Sequence, residues 1–311
     1  MALQSSGQIS LSDIAGEFGG TVPHAISEYY RNGGLVPGNN TNVPTSGTID
    51  FADFYGATNA TTRTLSNGDT NVNLSQTFGT DWTSGIGKIL IIPSGAEIGA
   101  TGLNNVNRAI TVPSGMGGTL TIQNAGTISG AGGEGGDGSP MTGGTGGSAI
   151  YIANANVTVQ NTGTIRGGGG GGGKGNAGSP GSNGYQQNPS DLIYALNCWG
   201  GQGGSGGDGG DGQGYNSSAQ SGASGGGGGG IYATGNFNGP EQDYCNIFNP
   251  HHGLSQTPGS PGTPGGPGGA FGAGGTTASP GGNGGPAGKY IELSGVSYTL
   301  QNSGTLTGTA P

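Results

Sequence analysis

The stretch Gly200–Gly214, GGQGGSGGDGGDGQG, decides how this chain is read. Two glycines alternate with one polar residue, four times over. A GGX triplet matches a helix with three residues per turn. Polyproline-II geometry has that period, a rise of about 3.1 Å and no internal hydrogen bonds. Every third side chain then falls on one edge, so Gln202, Ser205, Asp208 and Asp211 line up. Glu134 and Asp137 do the same in GAGGEGGDG (Gly130–Gly138). The other two edges carry only hydrogen, so neighbouring rods can approach until N–H and C=O groups bond between them. Such bonds offset the large ordering entropy of glycine.

The composition demands some device of this kind. Of 311 residues, 79 are glycine. Leu, Ile, Val and Phe together supply about one residue in six, below the roughly 20% under which disorder becomes the default. Yet charged residues are only 7% and are scattered singly, unlike a charged disordered tail. The runs 130–147, 167–184, 200–214, 221–230, 257–275 and 279–288 read as six rods of a sandwich. A flexible linker is the plain alternative. Collagen is another, but GSPGTPGGPGGA (Gly259–Ala270) holds only four triplets, too few for a triple helix.

Repeats organise the rest. SGQISLSDIAG (Ser6–Gly16) matches SGTIDFADFYG (Ser46–Gly56), with Ser10 and Asp50 as helix caps and an Asp three residues after each. Between them PHAISEYYRNGG reads as a short helix ending at Gly33. Further on, TLTIQNAGTISG (Thr119–Gly130), VTVQNTGTIRG (Val157–Gly167) and YTLQNSGTLTG (Tyr298–Gly308) are copies of one unit. Each alternates apolar residues with Thr, reaches Gln-Asn, turns at Gly and resumes, which reads as strand–turn–strand. The third copy returns at the C-terminus, after the glycine excursion. Glycine runs also end three times in similar apolar exits: GGSAIYIAN, GGGIYATGN and GPAGKYIELSG. The expected fold is therefore irregular and β. It has a small N-terminal module (1–58), a β-rich platform (59–129) and a polyglycine-II sandwich (130–290). A C-terminal strand (291–311) rejoins the platform.

Several chemistries find no support. A net charge of -9 argues against nucleic acid, which needs a basic footprint. No signal peptide is visible, and the longest apolar run, Ile89–Ile92, is far too short to span a bilayer. GGGGGGKG (Gly168–Gly175) has glycine where a phosphate loop needs Ser or Thr. GGSGGDGGDG lacks the apolar residues of calcium-binding nonapeptides. Cys198, Cys245, His251 and His252 are potential metal ligands, but the cysteines are not close-paired as in zinc sites. Those two cysteines are read as free thiols or as one disulfide between two inserts. No catalytic residues, metal or cofactor are expected.

The two inserts are the anomaly. YQQNPSDLIYALNCW (Tyr185–Trp199) and NFNGPEQDYCNIFNPHHGL (Asn236–Leu254) interrupt the glycine runs where rods should turn. They carry Tyr185, Tyr194, Trp199, Phe237, Tyr244, Phe248, His251 and His252. Aromatics with Asn and Gln at loop tips give rigid amphipathic area and adaptable hydrogen bonding, as recognition surfaces do. The alternative role is a local core sealing the end of the sandwich.

Two regions carry a resemblance. GQISLSDIAGEFGG…PHAISEYYRNGGLVP…PTSGTIDFADFYGA, residues 7–57, resembles an N-terminal module of virion structural and tail-fibre proteins in cyanophages and related tailed phages. The glycine-rich part, with its aromatic inserts, resembles the adhesin at the long-tail-fibre tip of T-even-type phages. The resemblance implies polyglycine-II helices whose distal loops bind an outer-membrane receptor. It also implies a virion tail protein assembled in the host cytoplasm, docked to tail or baseplate proteins through residues 1–58. No single binding residue carries across, and the front module departs from that family's fibre-attachment domain. A purely architectural virion protein and an ice-binding protein are the other readings of the same composition.

Overall fold

The computed structural model describes residues 3–311 apart from 104, 139–140, 182–183, 188–194, 200–201, 229–231 and 235–257. The architecture is mostly non-helical, with parallel sheets. In the front module α1 (Leu11–Phe18) starts at Ser10, whose side chain accepts from Asp13 N while the Asp13 carboxylate accepts from Ser10 N. Asp50 and Asp53 repeat that reciprocal cap ahead of a single 3-10 turn, Phe51–Phe54. The expected helix before Gly33 is only one 3-10 turn, Ile26–Tyr29. Ala25 offers it no capping side chain, and Tyr30 is already extended. The module closes on its own apolar cluster, in which the Tyr29 ring meets Phe54 edge-on at 6.3 Å.

From residue 60 the chain winds into a three-sided parallel prism. The first coil gives β1 (Ala60–Thr64) and β2 (Val72–Asn73), followed at once by α2 (Leu74–Phe78). The second gives β3 (Gly87–Ile92), β4 (Glu97–Gly99) and β5 (Ile110–Val112). The third gives β6 (Leu120–Asn124), β7 (Thr127–Ser129) and β8 (Ile150–Ile152). The fourth begins with β9 (Val157–Asn161) and β10 (Thr164–Arg166). It then leaves the prism for β11 (Gly184–Gln187), β12 (Ala195–Trp199) and β13 (Tyr232–Thr234), and returns as β14 (Ile291–Leu293). A last rung, β15 (Thr299–Asn302) and β16 (Thr305–Thr307), ends the chain. Face one is ordered β1-β3-β6-β9-β15, face two β4-β7-β10-β16 and face three β2-β5-β8-β14.

Period-two alternation and parallel register together build the core. Leu90, Ile122, Val159 and Leu300 occupy one inward column. Ile98, Ile128, Ile165 and Leu306 occupy the second face, and Ile110, Ile150 and Ile291 the third. Every member of these columns on the inner rungs is fully buried, and burying one such side chain contributes about 1.5–3 kcal/mol. The Gln-Asn pairs of the repeated unit sit at one corner. Asn124 and Asn161 point inward and buried, whereas Gln123 and Gln160 sit on the outer side, linked Nε2 to Oε1 at 3.2 Å. The turn inside each repeat is thus a corner between two faces, and the copies stack on one another.

Two of the three apolar exits, in β8 and β14, stack on face three. The third, in β13, pairs antiparallel with β12 and belongs to a separate three-stranded sheet. Ile150–Arg166, expected inside the glycine part, belongs to the prism, because VTVQN is a rung like the others. Both glycine excursions leave after a face-two strand, β7 or β10, and return to a face-three strand, β8 or β14.

Candidate recognition site

The glycine segments lie side by side and bond between backbones at every third residue. Gly169, Gly172, Gly175 and Gly178 donate to the carbonyls of Gln213, Gly210, Gly207 and Gly204. Gly204, Gly207, Gly210 and Gln213 donate in turn to Ser260, Thr263, Gly266 and Gly269. Side chains follow the same period. Gln202, Ser205 and Asp208 are exposed and Asp211 half-exposed, while Gly204, Gly207, Gly210 and Gly212 are buried. Glu134 is likewise exposed between buried glycines, and Asp137 is exposed next to buried Gly136.

Segment 168–178 is the centre of this array. It donates to 141–147 from Gly168, Gly171 and Lys174, to 204–213 from Gly169, Gly172, Gly175 and Gly178, to 273–276 from Gly170 and Gly173, and to Pro280 from Asn176. It accepts from 133–136, 263–269 and 282–288, so six segments surround it. Six neighbours leave no direction free for a side chain. A Cβ on Gly168 or Gly171 would overlap a carbonyl of segment 130–136. On Gly169 or Gly172 it would overlap one of 259–270, and on Gly170 or Gly173 one of 282–288. The unbroken run Gly167–Gly173 is therefore dictated by position, whereas outer segments keep their third residue.

The array has a fixed polarity. At the prism, Gly167 N donates to Thr307 O of β16 and Tyr215 N to Gly130 O. The Tyr215 ring lies against Gly99 of β4, where a Cβ would overlap it. Arg166 of β10 donates to Ser129 Oγ at 2.8 Å and to Glu97 Oε1 at 2.8 Å, and its guanidinium stacks 3.8 Å from the Phe271 ring centroid. These contacts clamp the near end of the array to the prism. At the far end Gly178 meets Gly204, Gly204 meets Ser260 and Gly226 meets Ser205. Beyond those bonds the chain enters β11, emerges from β12 and enters β13.

That far sheet is the candidate site. Its strand order is β11-β12-β13, antiparallel throughout. Tyr185 is the register partner of Asn197, Trp199 of Tyr232, and Cys198 lies opposite both Gly184 and Ala233. Tyr194, Phe237, Tyr244, Cys245, Phe248, His251 and His252 lie outside the described residues, so the structure brings together only Tyr185, Trp199 and Cys198 of the expected set. Tyr232 was not singled out from the sequence. Its signal was the aromatic in the exit GGGIYATGN, which copies the exits that stack on the prism.

Electrostatics along the array are acidic and locally paired. Lys174 Nζ meets Asp208 Oδ1 at 2.6 Å, and Asp211 Oδ1 accepts from Gly135 N at 2.8 Å. Among the described residues no group of three or more His, Cys, Asp or Glu is placed to hold a metal ion. No described helix is long and apolar enough to cross a membrane.

Comparison with known proteins sets this geometry in context. The family model described as phage tail fibre adhesin Gp38 matches residues 60–311, from the first residue of β1 to the end of the chain. No curated protein matches. Among solved structures, the gp37-gp38 adhesin tip complex of the bacteriophage S16 long tail fiber aligns at 17% identity and a TM-score of 0.44, covering 99% of this chain and 100% of that one.

Proposed function

Because the chain belongs to the phage tail fibre adhesin Gp38 family, we propose that this bacteriophage tail component binds a host receptor through the far end of its glycine array. The adhesin role comes with the family; the receptor surface is our reading. Contact is made by the inserts at 185–199 and 236–254 and involves no chemistry. The ligand is an outer-membrane protein or surface glycan, met by the candidate residues Tyr185, Tyr194, Trp199, Phe237, Tyr244, Phe248, His251 and His252.

The observation that carries this reading is the polarity of the array. Rods clamped to the prism at Gly167 and Tyr215 deliver β11, β12 and β13 together at the opposite end. The rods themselves are polyglycine-II helices in this reading, supported by the three-residue period of their backbone bonds. At about 3.1 Å per residue, segment 167–178 then holds the tip roughly 34 Å from the prism. Such a spacer, tied by bonds at every third residue, keeps aromatic loops in a fixed arrangement, and preorganisation favours affinity.

Residues 1–58 are the attachment module, assembled with the rest of the tail in the host cytoplasm. They have a separate apolar cluster, lie outside the family match, and expose Val22 and Phe51. Exposed apolar residues on a small module suit a protein partner.

The test replaces both inserts by short Gly-Ser turns in the intact phage. Particles should assemble with the protein present and fail to adsorb. Unchanged adsorption overturns the receptor reading and leaves an architectural role. Loss of the protein from particles lacking residues 1–58 separately checks the attachment module.

A further inference from the structure

Bonding at every third residue leaves one thing open. A segment of GGX triplets that slides by three residues past its neighbours meets the same pattern of donors and acceptors, about 9 Å further along. The repeat specifies which edges touch. It does not specify how far each segment stands out from the prism, much as glycine-rich strands leave their register weakly set. Something outside the repeat must set the offset.

Two rings stand where that offset is decided. Between Gly200 and Gly288, Tyr215 and Phe271 are the only Phe, Tyr or Trp outside β13 and the insert 236–254. Each occupies the second position of a four-residue turn at the near end of the array. Ser217 N closes the first turn on Gly214 O at 3.0 Å, and Ala273 N closes the second on Ala270 O at 2.9 Å. The third position is left-handed in both, Asn216 at φ 56° and Gly272 at φ 69°, where a tight turn takes Asn or Gly. Both rings rest on the outer row of face two, in which Gly99, Ser129, Arg166 and Thr307 are register partners across four strands. The Tyr215 ring covers Gly99 so closely that a Cβ there would lie 1.9 Å from its Cγ. The Phe271 ring covers the Arg166 guanidinium. Phe271 N donates to Gln213 Oε1 at 3.2 Å, which ties the two turns together.

The first turn bears directly on the tip. Hairpin 204–228 follows β12 and leads to β13, so both its ends lie at the far end and its turn is where it meets the prism. The central segment 168–178, which leads to β11, is joined directly to β10. Chain connection thus places β11, whereas β12 and β13 depend on the seat of Tyr215. The pair Lys174–Asp208 also marks register, but Asp208 is more than half exposed and solvent screens the pair. We propose that Tyr215 and Phe271 are positioning residues for the receptor-binding tip, two stops that fix how far the glycine segments carry it from the prism. This rests on the receptor reading above.

Two readouts test it: the adsorption rate of phage carrying each variant, on the cells in which the phage is grown, and amide exchange of Gly169–Gly178 in the full-length protein. Tyr215→Ala should slow adsorption about tenfold or more while those amides stay protected, because a hairpin shifted by one triplet bonds as before. Tyr215→Phe keeps the ring and should adsorb as the parent does. Gly99→Ala unseats the ring from the prism side and should also slow adsorption; it decides the matter should Tyr215→Ala be missing from particles. Ser218→Ala, exposed on the same hairpin, should change neither readout. Parent-rate adsorption of Tyr215→Ala and Gly99→Ala overturns the proposal. So does lost protection accompanying lost adsorption, which makes the rings mere supports, or a Tyr215→Phe phage as slow as Tyr215→Ala. Particles with both inserts replaced separate the two readings. If they adsorb normally, the receptor reading itself falls; if they fail to adsorb while Tyr215→Ala and Gly99→Ala adsorb normally, only the stops do.

Discussion

Asn124 donates its side-chain amide to Asn161 Oδ1 at 2.7 Å, and Asn161 passes the pattern on to Asn302 Oδ1 at 2.7 Å. A buried amide is costly unless paired, and here each rung satisfies the next. Gln160 and Gln301 run parallel to it outside, at 3.0 Å. The inner ladder fixes register, because a one-residue slip would bury glutamine and leave the asparagines outside.

Asn161→Ala should therefore destabilise the prism by about 1–3 kcal/mol, the usual cost of orphaning buried partners. Chemical denaturation would read this as a lower midpoint at unchanged slope. Gln160→Ala, on the exposed ladder, should cost far less. Equal losses would mean that the inner ladder has no special role.

Gly171→Ala should be among the most disruptive single substitutions available. Its Cβ would overlap Glu134 O, a backbone atom with no room to move. Asp208→Ala, on the adjacent segment and exposed with only a solvent-screened pair to Lys174, should stay within about 0.5 kcal/mol. Limited proteolysis distinguishes them: the glycine part of Gly171→Ala should be cut while the prism resists. If both variants resist alike, the crowded centre is wrongly placed.

Much of this was written plainly in the sequence. Ser10 and Asp50 announced their caps, the Gln-Asn copies announced strands, and the GGX phase announced which side chains face out. What stayed hidden was partnership. Alternation tells which residues of VTVQN point inward but not that Val159 lies beside Ile122, 37 residues earlier, because parallel pairing is set by the whole coil. The central segment was equally opaque: Gly168–Gly173 reads like any linker until six neighbours surround it. The exit into β13 was misleading for a related reason. Its residues suit a strand, and only the chain's position at the far end chose a different sheet.

Arg166 joins prism and array, and its removal should loosen that joint. Arg166→Ala loses the bonds to Ser129 and Glu97 and the stack on Phe271. The groups are about one-third exposed, so solvent discounts the ion pair, and packing of the guanidinium makes up part of the loss. A destabilisation of about 1 kcal/mol is expected, with faster amide exchange around Gly272. Arg166→Lys should not rescue it, because an ammonium cannot stack flat on the ring. Full rescue by lysine would mean that charge alone does the holding.

Lys88 supplies the final test. It occupies an inward position on β3, only 1% exposed, beside Leu120 of the next rung. Its Nζ donates to Ser84 O at 3.1 Å, Ile86 O at 2.9 Å and Gly117 O at 2.8 Å, so all three donors are used. Burial pulls its pKa below the ordinary lysine value of 10.5, against a smaller opposing pull from Asp81. A base whose folded pKa is depressed binds its proton more weakly in the folded chain than in the unfolded one. Stability from this group therefore rises with pH from the folded pKa up to about 10.5, and falls as pH drops back through that window. Lys88→Met orphans three carbonyls and should cost about 1–3 kcal/mol near neutrality. It also abolishes the slope, so the gap between parent and variant should widen as the solution becomes alkaline. Taking the difference between the two proteins cancels the tyrosines, among which Tyr29 and Tyr298 have pKa values raised chiefly by burial. Denaturation midpoints of both proteins across the alkaline range decide it: a gap that narrows with pH would mean that Lys88 is stabilised, not strained, in its charged form.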